Sequence, residues 1–332
     1  MSRHRDETPD PDRPVLPDLS RGSTDRPLVV GSGEGPLAAA MTTELLRRLA
    51  RVHPRLVFRR VVVAGGGARN GHVKVQSAST DQRAFVSQLD KAVLSGEIDL
   101  TVRSLKDMPG SAPPDLVLAA VLARTDARDA LCGSSLRALP YGARVGGSSL
   151  RRTAQLVALR PDVRPVPVHG PIATQLHQLR RLQPLDAVVL PVAALARLGL
   201  EGRIGEALGI EEFPPAPGQG ALGVLARSDD AELCELLAAV HHPATAAAVE
   251  AERCLRAGLH EGCGLPIGGH AHLDGGRLRL IGQVTAPDGS RFARRQATGA
   301  VADAAALGLR LAADLRADGA GEILAEINAR GD

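Results

Sequence analysis

Apolar and polar residues alternate along the chain with two different periods, and this predicts a series of strands and helices from about residue 27 onward. Short β-branched runs such as PLVVGS and IDLTVRSL predict buried strands. Between them, GPLAAAMTTELLRRLARV has a proline in its first turn and carries Leu45, Leu46 and Leu49 at helical spacing. That segment is therefore predicted to be a helix, and AFVSQLDKAVLSG is predicted to be a second one.

A second strand-and-helix series begins at about residue 143 with ARVGGSSLRRTAQLVALRP and continues through LDAVVLPVA. The repetition predicts two similar α/β lobes with a cleft between them. Near the C-terminus, HLDGGRLRLIGQVTAPDGS predicts a hairpin with an Asp-Gly-Gly turn, set among Ala- and Leu-rich helices. The predicted units are a disordered tail at 1–26, a first lobe at 27–122 together with about 217–240, a second lobe at 123–216, and a small α+β domain at 241–332.

Composition narrows the function classes. The 332 residues include 40 basic and 37 acidic side chains, for a net charge of +3, and only 2% are aromatic. A nucleic-acid-binding protein usually has a basic surface, so no nucleic-acid partner is expected. The N-terminus lacks the apolar region of a signal peptide, and AVVLPVAALA is too short to span a membrane. Irregularly spaced cysteines do not indicate a disulfide framework, which favours a cytoplasmic location.

The segment GGSSLRR, residues 146–152, has the pattern of an anion site. A glycine-rich turn at a helix N-terminus presents free N–H groups, and arginines bind carboxylate or phosphate in a bidentate manner. Basic residues are favoured at the opposite end of a helix, so two arginines here need another explanation. A simple helix cap followed by solvated arginines would account for the same letters.

Three further segments carry candidate chemistry. Lys106 and Asp107 follow a predicted strand, at the end of an α/β sheet where ligands bind, although an aspartate before Met-Pro also forms turns. Cys263 lies between glycines in a loop, where it is either an accessible thiol or an inert small residue. Gln219 lies in PGQGALG, which has the composition of a hinge. No zinc pattern fits the cysteine spacing, so no metal is predicted.

Taken together, the motifs resemble those of the porphobilinogen deaminase (hydroxymethylbilane synthase) family. The segments AFVSQLDKAVLSGEIDLTVRSLKDMP, VGGSSLRRTAQL, VAALARLGLEGRI, PAPGQGALGV and EGCGLPIG occur in the family's order. The resemblance runs from about residue 27 to the C-terminus. It implies an α/β fold with two βαβ-type lobes resembling type II periplasmic binding proteins, a small α+β C-terminal domain, and a monomer.

The resemblance also implies a reaction and a set of residues. Family members condense four porphobilinogen units head to tail, releasing ammonia, in tetrapyrrole and heme biosynthesis. Cys263 matches the cysteine that holds a covalent dipyrromethane cofactor through a thioether, and Asp107 matches the catalytic acid. The remaining matches, which bind cofactor or substrate, are Lys106, Ser148, Ser149, Arg151, Arg152, Arg197, Phe85 and Gln219.

The chain departs from the family pattern at three arginine positions. Gly33, His169 and Gln175 stand where the resemblance implies arginine. A charged hydrogen bond contributes about 1.5–3 kcal/mol, so three losses would weaken carboxylate binding by orders of magnitude unless other cations such as Arg103 or Arg180 substitute.

Three hypotheses follow. The chain is a hydroxymethylbilane synthase, or a divergent paralogue with another substrate or number of condensations, or a non-catalytic solute-binding module. The loop cysteine counts against the third hypothesis.

Overall fold

The computed structural model describes residues 26–64, 87–109, 113–180, 185–259 and 264–331. Within these ranges, the strands lie in three sheets. The strands are β1 Leu28–Ser32, β2 Phe58–Val62, β3 Leu100–Ser104, β4 Leu116–Val121, β5 Asp129–Cys132, β6 Arg144–Gly147, β7 Arg164–Pro167, β8 Ala187–Pro191, β9 Ile204–Ala207, β10 Leu222–Arg227, β11 Ile267–Asp274, β12 Arg277–Thr285 and β13 Phe292–Ala300. The helices are α1 Pro36–Val52, α2 Gln88–Leu94, α3 Leu150–Leu159, α4 Ile172–His177, α5 Val192–Arg197, α6 Ala231–Ala238, α7 Pro243–Leu259, α8 Ala304–Leu315 and α9 Gly321–Gly331.

The first two sheets have five strands each and the same plan. Their orders are β2-β1-β3-β10-β4 and β7-β6-β8-β5-β9. In each sheet, the first three strands are parallel and the fourth runs antiparallel to its neighbours. The predicted class, two α/β lobes and a small α+β domain, is confirmed. The sequence pattern had not indicated the antiparallel strands.

The antiparallel strands explain how the chain passes between the lobes. β4 in the first sheet is followed by β5 in the second, and β9 in the second is followed by β10 in the first. Residues 122–128 and 208–221 are therefore two crossing segments. They touch at Gly220, whose φ is +85° and whose added Cβ would lie 3.0 Å from the carbonyl oxygens of Thr125 and Asp126. A side chain there would be strained and would crowd the other crossing.

The predicted elements largely form as expected. The first predicted helix is α1, which begins at Pro36 and buries Leu45 and Leu49. The second is α2, which begins after Ser87; the Ser87 hydroxyl and the Asp90 carboxylate each bind the other residue's backbone N–H. This reciprocal cap fixes the start of the helix.

The third unit packs α7 and α8 against the antiparallel sheet β11-β12-β13. It is fastened to both crossings through Glu252, which is fully buried on α7. The Glu252 carboxylate accepts two hydrogen bonds from Arg124 at 2.5 and 3.0 Å and one from the Gly218 N–H at 2.6 Å. It also accepts a bond from the Ala271 N–H at 2.7 Å, so one carboxylate joins the third unit to the region between the lobes.

Candidate active site

The turn after β3 carries the predicted acid and its neighbouring lysine. Leu105–Asp107 forms one 3-10 turn, in which Asp107 is exposed and Lys106 is half-buried. Burial lowers the pKa of Lys106, and the adjacent Asp107 acts in the opposite direction. The turn lies against the second crossing, because an added Cβ on Gly218 would be 2.9 Å from the Leu105 carbonyl carbon and the Lys106 nitrogen. Gly218 has a φ of +80°, so both its conformation and the close packing favour glycine.

Gln219 connects this turn to the second lobe. Its side chain is buried, and its Oε1 accepts from Lys106 Nζ at 3.5 Å and from Arg152 Nη2 at 3.4 Å. Its Nε2 donates to the Ala127 carbonyl oxygen at 2.8 Å and to Asp129 Oδ1 at 3.0 Å. Every polar atom of the amide is therefore used, and the amide orientation is fixed by donors on one side and acceptors on the other.

Asp129 is the centre of the network. Arg151 Nη2 donates to Asp129 Oδ2 at 2.6 Å, and Arg152 Nε donates to Oδ1 at 3.0 Å. The two arginines are only 3% and 8% exposed, and Asp129 is fully buried. Their positive charges hold the pKa of Asp129 well below its usual range, against the opposing effect of burial. One carboxylate faces two guanidinium groups, so the cluster keeps a net positive charge.

The N-terminus of α3 lies next to this cluster. Ser149 is the residue before the helix, and its hydroxyl makes no capping hydrogen bond to the helix backbone. Ser148 is exposed, and Ser149 is half-buried. The pattern GGSSLRR therefore places two hydroxyls and a helix N-terminus on the side open to solvent, while its two arginines point into the network around Asp129.

Arg197 takes part in a contact between the lobes. Its Nε donates to Glu44 Oε2 on α1 at 2.8 Å, and its Nη2 donates to the Gly220 carbonyl oxygen at 3.2 Å. The Arg197 side chain is 10% exposed and that of Glu44 is 21% exposed. Arg197 thus joins the second lobe to the first lobe and to the crossing segment.

The three positions that differ from the family pattern are also defined by the structure. Gly33 is buried after β1, and His169 is exposed after β7. The Gln175 amide, on α4, donates to the Gly170 carbonyl oxygen just before that helix at 2.8 Å. Of the suggested substitutes, Arg103 pairs with Asp90 and also donates to the Ser87 hydroxyl at 2.9 Å.

Several predicted residues lie outside the described part of the chain. These are Phe85 and Cys263, together with the side chain of Arg180. The described site therefore consists of the turn with Asp107, the hinge with Gln219, the Asp129 cluster and the start of α3.

The sequence pattern assigns no role to Asp129 or to Glu44. A signal for Asp129 was present, because DALC places an acid at the start of an otherwise apolar strand. A buried acid in such a strand needs a cationic partner. No comparable signal marked Glu44, which lies among the polar positions of α1 and meets a residue far away in sequence.

Two family models match the chain. Residues 28–235 match the model described as "Porphobilinogen deaminase, dipyromethane cofactor binding domain", and residues 246–317 match "Porphobilinogen deaminase, C-terminal domain". The first match covers more than half of the chain. The chain belongs to the porphobilinogen deaminase family.

Similar proteins are named porphobilinogen deaminase, and the alignments with this chain cover nearly their whole length. Porphobilinogen deaminase from Alkaliphilus metalliredigens is 39% identical over 91% of this chain and 96% of its own. The porphobilinogen deaminase from Roseiflexus sp. is 42% identical over 90% and 98%, and that from Thermus thermophilus is 42% identical over 91% and 99%. Members of this family are transferases, and the matches support hydroxymethylbilane synthase.

Among solved structures, the periplasmic aliphatic sulphonate binding protein SsuA from Escherichia coli aligns with 70% of this chain and 70% of its own. The identity is 17% and the TM-score is 0.37.

None of the described helices has the length and apolar character needed to cross a membrane. Within the described ranges, no three His, Cys, Asp or Glu side chains are grouped as metal ligands.

Proposed function

We propose that this chain condenses four porphobilinogen units head to tail and releases one ammonia at each step, after which water cleaves the chain free as hydroxymethylbilane. The observation that carries this proposal is the exposed Asp107 carboxylate next to Lys106, in a chain that belongs to the porphobilinogen deaminase family. The Gln219 side chain connects Lys106 to the positively charged cluster around Asp129. A substrate with acidic arms requires cations, and a reaction that develops positive charge requires a carboxylate.

The residues present fit a dipyrromethane cofactor. Its carboxylate arms suit a site with the N-terminus of α3, the Ser148 and Ser149 hydroxyls, and the cations Lys106, Arg151 and Arg152. Arg151 Nε is buried and has no hydrogen-bond partner among the described residues, so this cluster retains an unused donor. When bound, the dipyrromethane supplies the pyrrole end to which substrate is added.

Cys263 is proposed to hold the cofactor through a thioether. A thiolate is the side chain best suited to attack an electrophilic methylene carbon. The residue follows α7, whose last turn ends at Leu259 in the third unit.

Asp107 is proposed to act on the substrate. Loss of ammonia breaks the aminomethyl C–N bond and leaves a cationic methylene on the pyrrole ring. The Asp107 carboxylate stabilises that cation and accepts pyrrole N–H hydrogen bonds while the new C–C bond forms. The attacking ring carbon then loses its own proton, which the released ammonia takes up as ammonium. Lys106 and Arg197 are proposed to bind carboxylate arms of the substrate, near Gln219, and Phe85 to contact the pyrrole chain.

Intact mass tests the reaction and the tether together. The purified protein should exceed its polypeptide mass by one dipyrromethane unit and should gain further pyrrole units on brief exposure to porphobilinogen. Cys263→Ser should remove the adduct. A bare polypeptide mass that does not change with substrate would reject the proposal.

Asp107→Asn tests the acid separately. The variant removes one exposed carboxylate and should keep both the adduct and the fold, while turnover falls by about 100-fold or more. Turnover equal to that of the unchanged protein would exclude the assigned role.

A divergent product remains the second candidate, and a specific observation favours it. Neither Gly33 nor His169 nor Gln175 supplies a guanidinium, and Arg103 is engaged by Asp90. Fewer available cations would weaken the hold on a growing polyacid. The product released into solution distinguishes the candidates: a linear tetrapyrrole supports the first, and a shorter chain supports the second.

A further inference from the structure

Two arginines on α7 of the third unit reach the turn that carries Asp107. Arg253 Nη2 donates to the Pro109 carbonyl oxygen at 2.6 Å, and its Nη1 donates to the Leu105 carbonyl oxygen at 3.4 Å. These two carbonyls lie at the two ends of the segment 105–109.

Arg256, one helical turn further on, binds the middle of the same segment. Its Nη1 donates to the Lys106 carbonyl oxygen at 3.2 Å, and its Nη2 donates to the Met108 carbonyl oxygen at 2.9 Å. Residues 106 and 108 flank Asp107. A single planar guanidinium therefore bridges the carbonyl oxygens of the two residues that flank the proposed catalytic acid.

This arrangement is unfavourable for the helix taken alone. Arg253 and Arg256 are three positions apart on α7, where like charges repel. Burial and the charge of Arg256 lower the pKa of Arg253. Both guanidinium groups donate to carbonyl oxygens of residues 105–109, which indicates that the pair maintains the geometry of the turn.

The turn needs such support. Within it, the Met108 N–H reaches the Leu105 carbonyl oxygen only at 3.4 Å, which is a weak bond. The Leu105 N–H binds the Ala221 carbonyl oxygen at 3.1 Å, so the start of the turn is held by the hinge. The part of the turn that contains Asp107 is held by the hydrogen bonds from Arg256 on α7.

We propose that Arg256, assisted by Arg253, is a positioning residue that fixes the Asp107 turn from the third unit. This inference rests on the catalytic role of Asp107 proposed above. Along the sequence, α7 ends at Leu259, four residues before Cys263.

Two substitutions separate geometry from charge. Arg256→Gln removes the charge and the bridging fork, whereas Arg256→Lys keeps the charge but offers one ammonium group that cannot bridge both carbonyls in the same way. If Arg256 acted only through its charge, the lysine variant would behave like the unchanged protein.

Arg316→Gln is the matched control. Arg316 also uses its guanidinium to bind backbone carbonyls, those of Gly258 at 2.9 Å and of Leu259, at the end of the same helix. Within the part of the chain that the structure describes, Arg316 makes no hydrogen bond to the turn of Asp107.

The experiment measures kcat and KM for porphobilinogen per molecule that carries the adduct, with adduct content taken from intact mass. For both Arg256 variants, kcat should fall by about 10-fold to 100-fold, as misplacement of a catalytic group does, while KM changes less than about threefold. In Arg316→Gln, kcat per loaded molecule should stay unchanged.

Amide hydrogen exchange in peptides covering 104–108 gives a readout that does not depend on loading. Exchange should become about fivefold faster or more in both Arg256 variants and stay unchanged in Arg316→Gln, because the turn opens more often. For a variant that carries no cofactor, hydrogen exchange alone decides whether Arg256 holds the turn in place.

Unchanged exchange in the turn, or full activity of Arg256→Lys beside an impaired Arg256→Gln, would overturn the inference. An active Asp107→Asn protein would instead remove the proposed role of Asp107. The two failures are therefore distinguishable.

Discussion

Replacing Asp129 with asparagine should destabilise the second lobe strongly, because it leaves two buried guanidinium groups without their counter-ion. The carboxylate accepts hydrogen bonds from Arg151 Nη2 at 2.6 Å, from Arg152 Nε at 3.0 Å and from Gln219 Nε2 at 3.0 Å. An amide would lose the negative charge and would turn an NH₂ group toward one of these donors.

The magnitude follows from burial. Asp129 is fully buried, and the two arginines are 3% and 8% exposed, so water cannot replace the missing charge. Removing one partner from a buried ion pair typically reduces the free energy of unfolding by about 3–5 kcal/mol. That is a large part of the about 5–15 kcal/mol that stabilises a typical protein.

Urea unfolding at pH 7, followed by far-UV circular dichroism, measures the change, and amide exchange in β5 and β8 assigns it to the second lobe. The matched control is Asp318→Asn, which removes the same group from an exposed ion pair with Arg295 and should leave the urea midpoint nearly unchanged.

The pH dependence adds a second test. Because the pKa of folded Asp129 is depressed below the ordinary 3.8, its contribution is complete above that value and is lost as the pH falls toward the folded pKa. The difference between the unchanged protein and Asp129→Asn should therefore be constant at neutral pH and shrink only in strong acid. A midpoint shift no larger than that of Asp318→Asn would refute the buried-pair reasoning.

Two further predictions concern the hinge and the third unit. Gly218→Ala should lower the free energy of unfolding by about 1–3 kcal/mol and reduce turnover, because φ is +80° and the new Cβ would lie 2.9 Å from the turn of Lys106. The control is Gly202→Ala, whose Cβ would meet nothing within 4 Å. Thermal unfolding and activity assays should show neither effect in this control. His270 is buried, its Nδ1 has no hydrogen-bond partner among the described residues, and burial lowers its pKa from 6.5 to about 4. The unfolded state therefore binds a proton that the folded state rejects, so stability should fall by up to about 3 kcal/mol as the pH drops from 6.5 to 4. Urea midpoints across that range should depend less on pH in His270→Gln than in a variant of its exposed neighbour, His272→Gln, and equal slopes would contradict the prediction.

Local sequence was sufficient for several of the elements and for the identity of the candidate chemistry. The spacing of Leu45 and Leu49 predicted α1, and the Asp-Gly-Gly turn predicted the hairpin of β11 and β12, because side-chain periodicity and turn conformation depend on neighbouring residues. The motifs around Asp107 and GGSSLRR were likewise readable from adjacent letters, and they carried the resemblance that the family matches confirm.

Tertiary structure decided the electrostatic state of those residues. The sequence predicted that Arg151 and Arg152 would face an anion, but it did not reveal that Asp129 from another strand meets both of them. It also did not reveal that Arg197 would pair with Glu44, 153 positions away, or that Arg256 would bind the turn of Asp107 from the third unit. Whether a charge binds a ligand or another side chain depends on which groups the fold brings within about 4 Å, and that information is not contained in any local stretch of the chain.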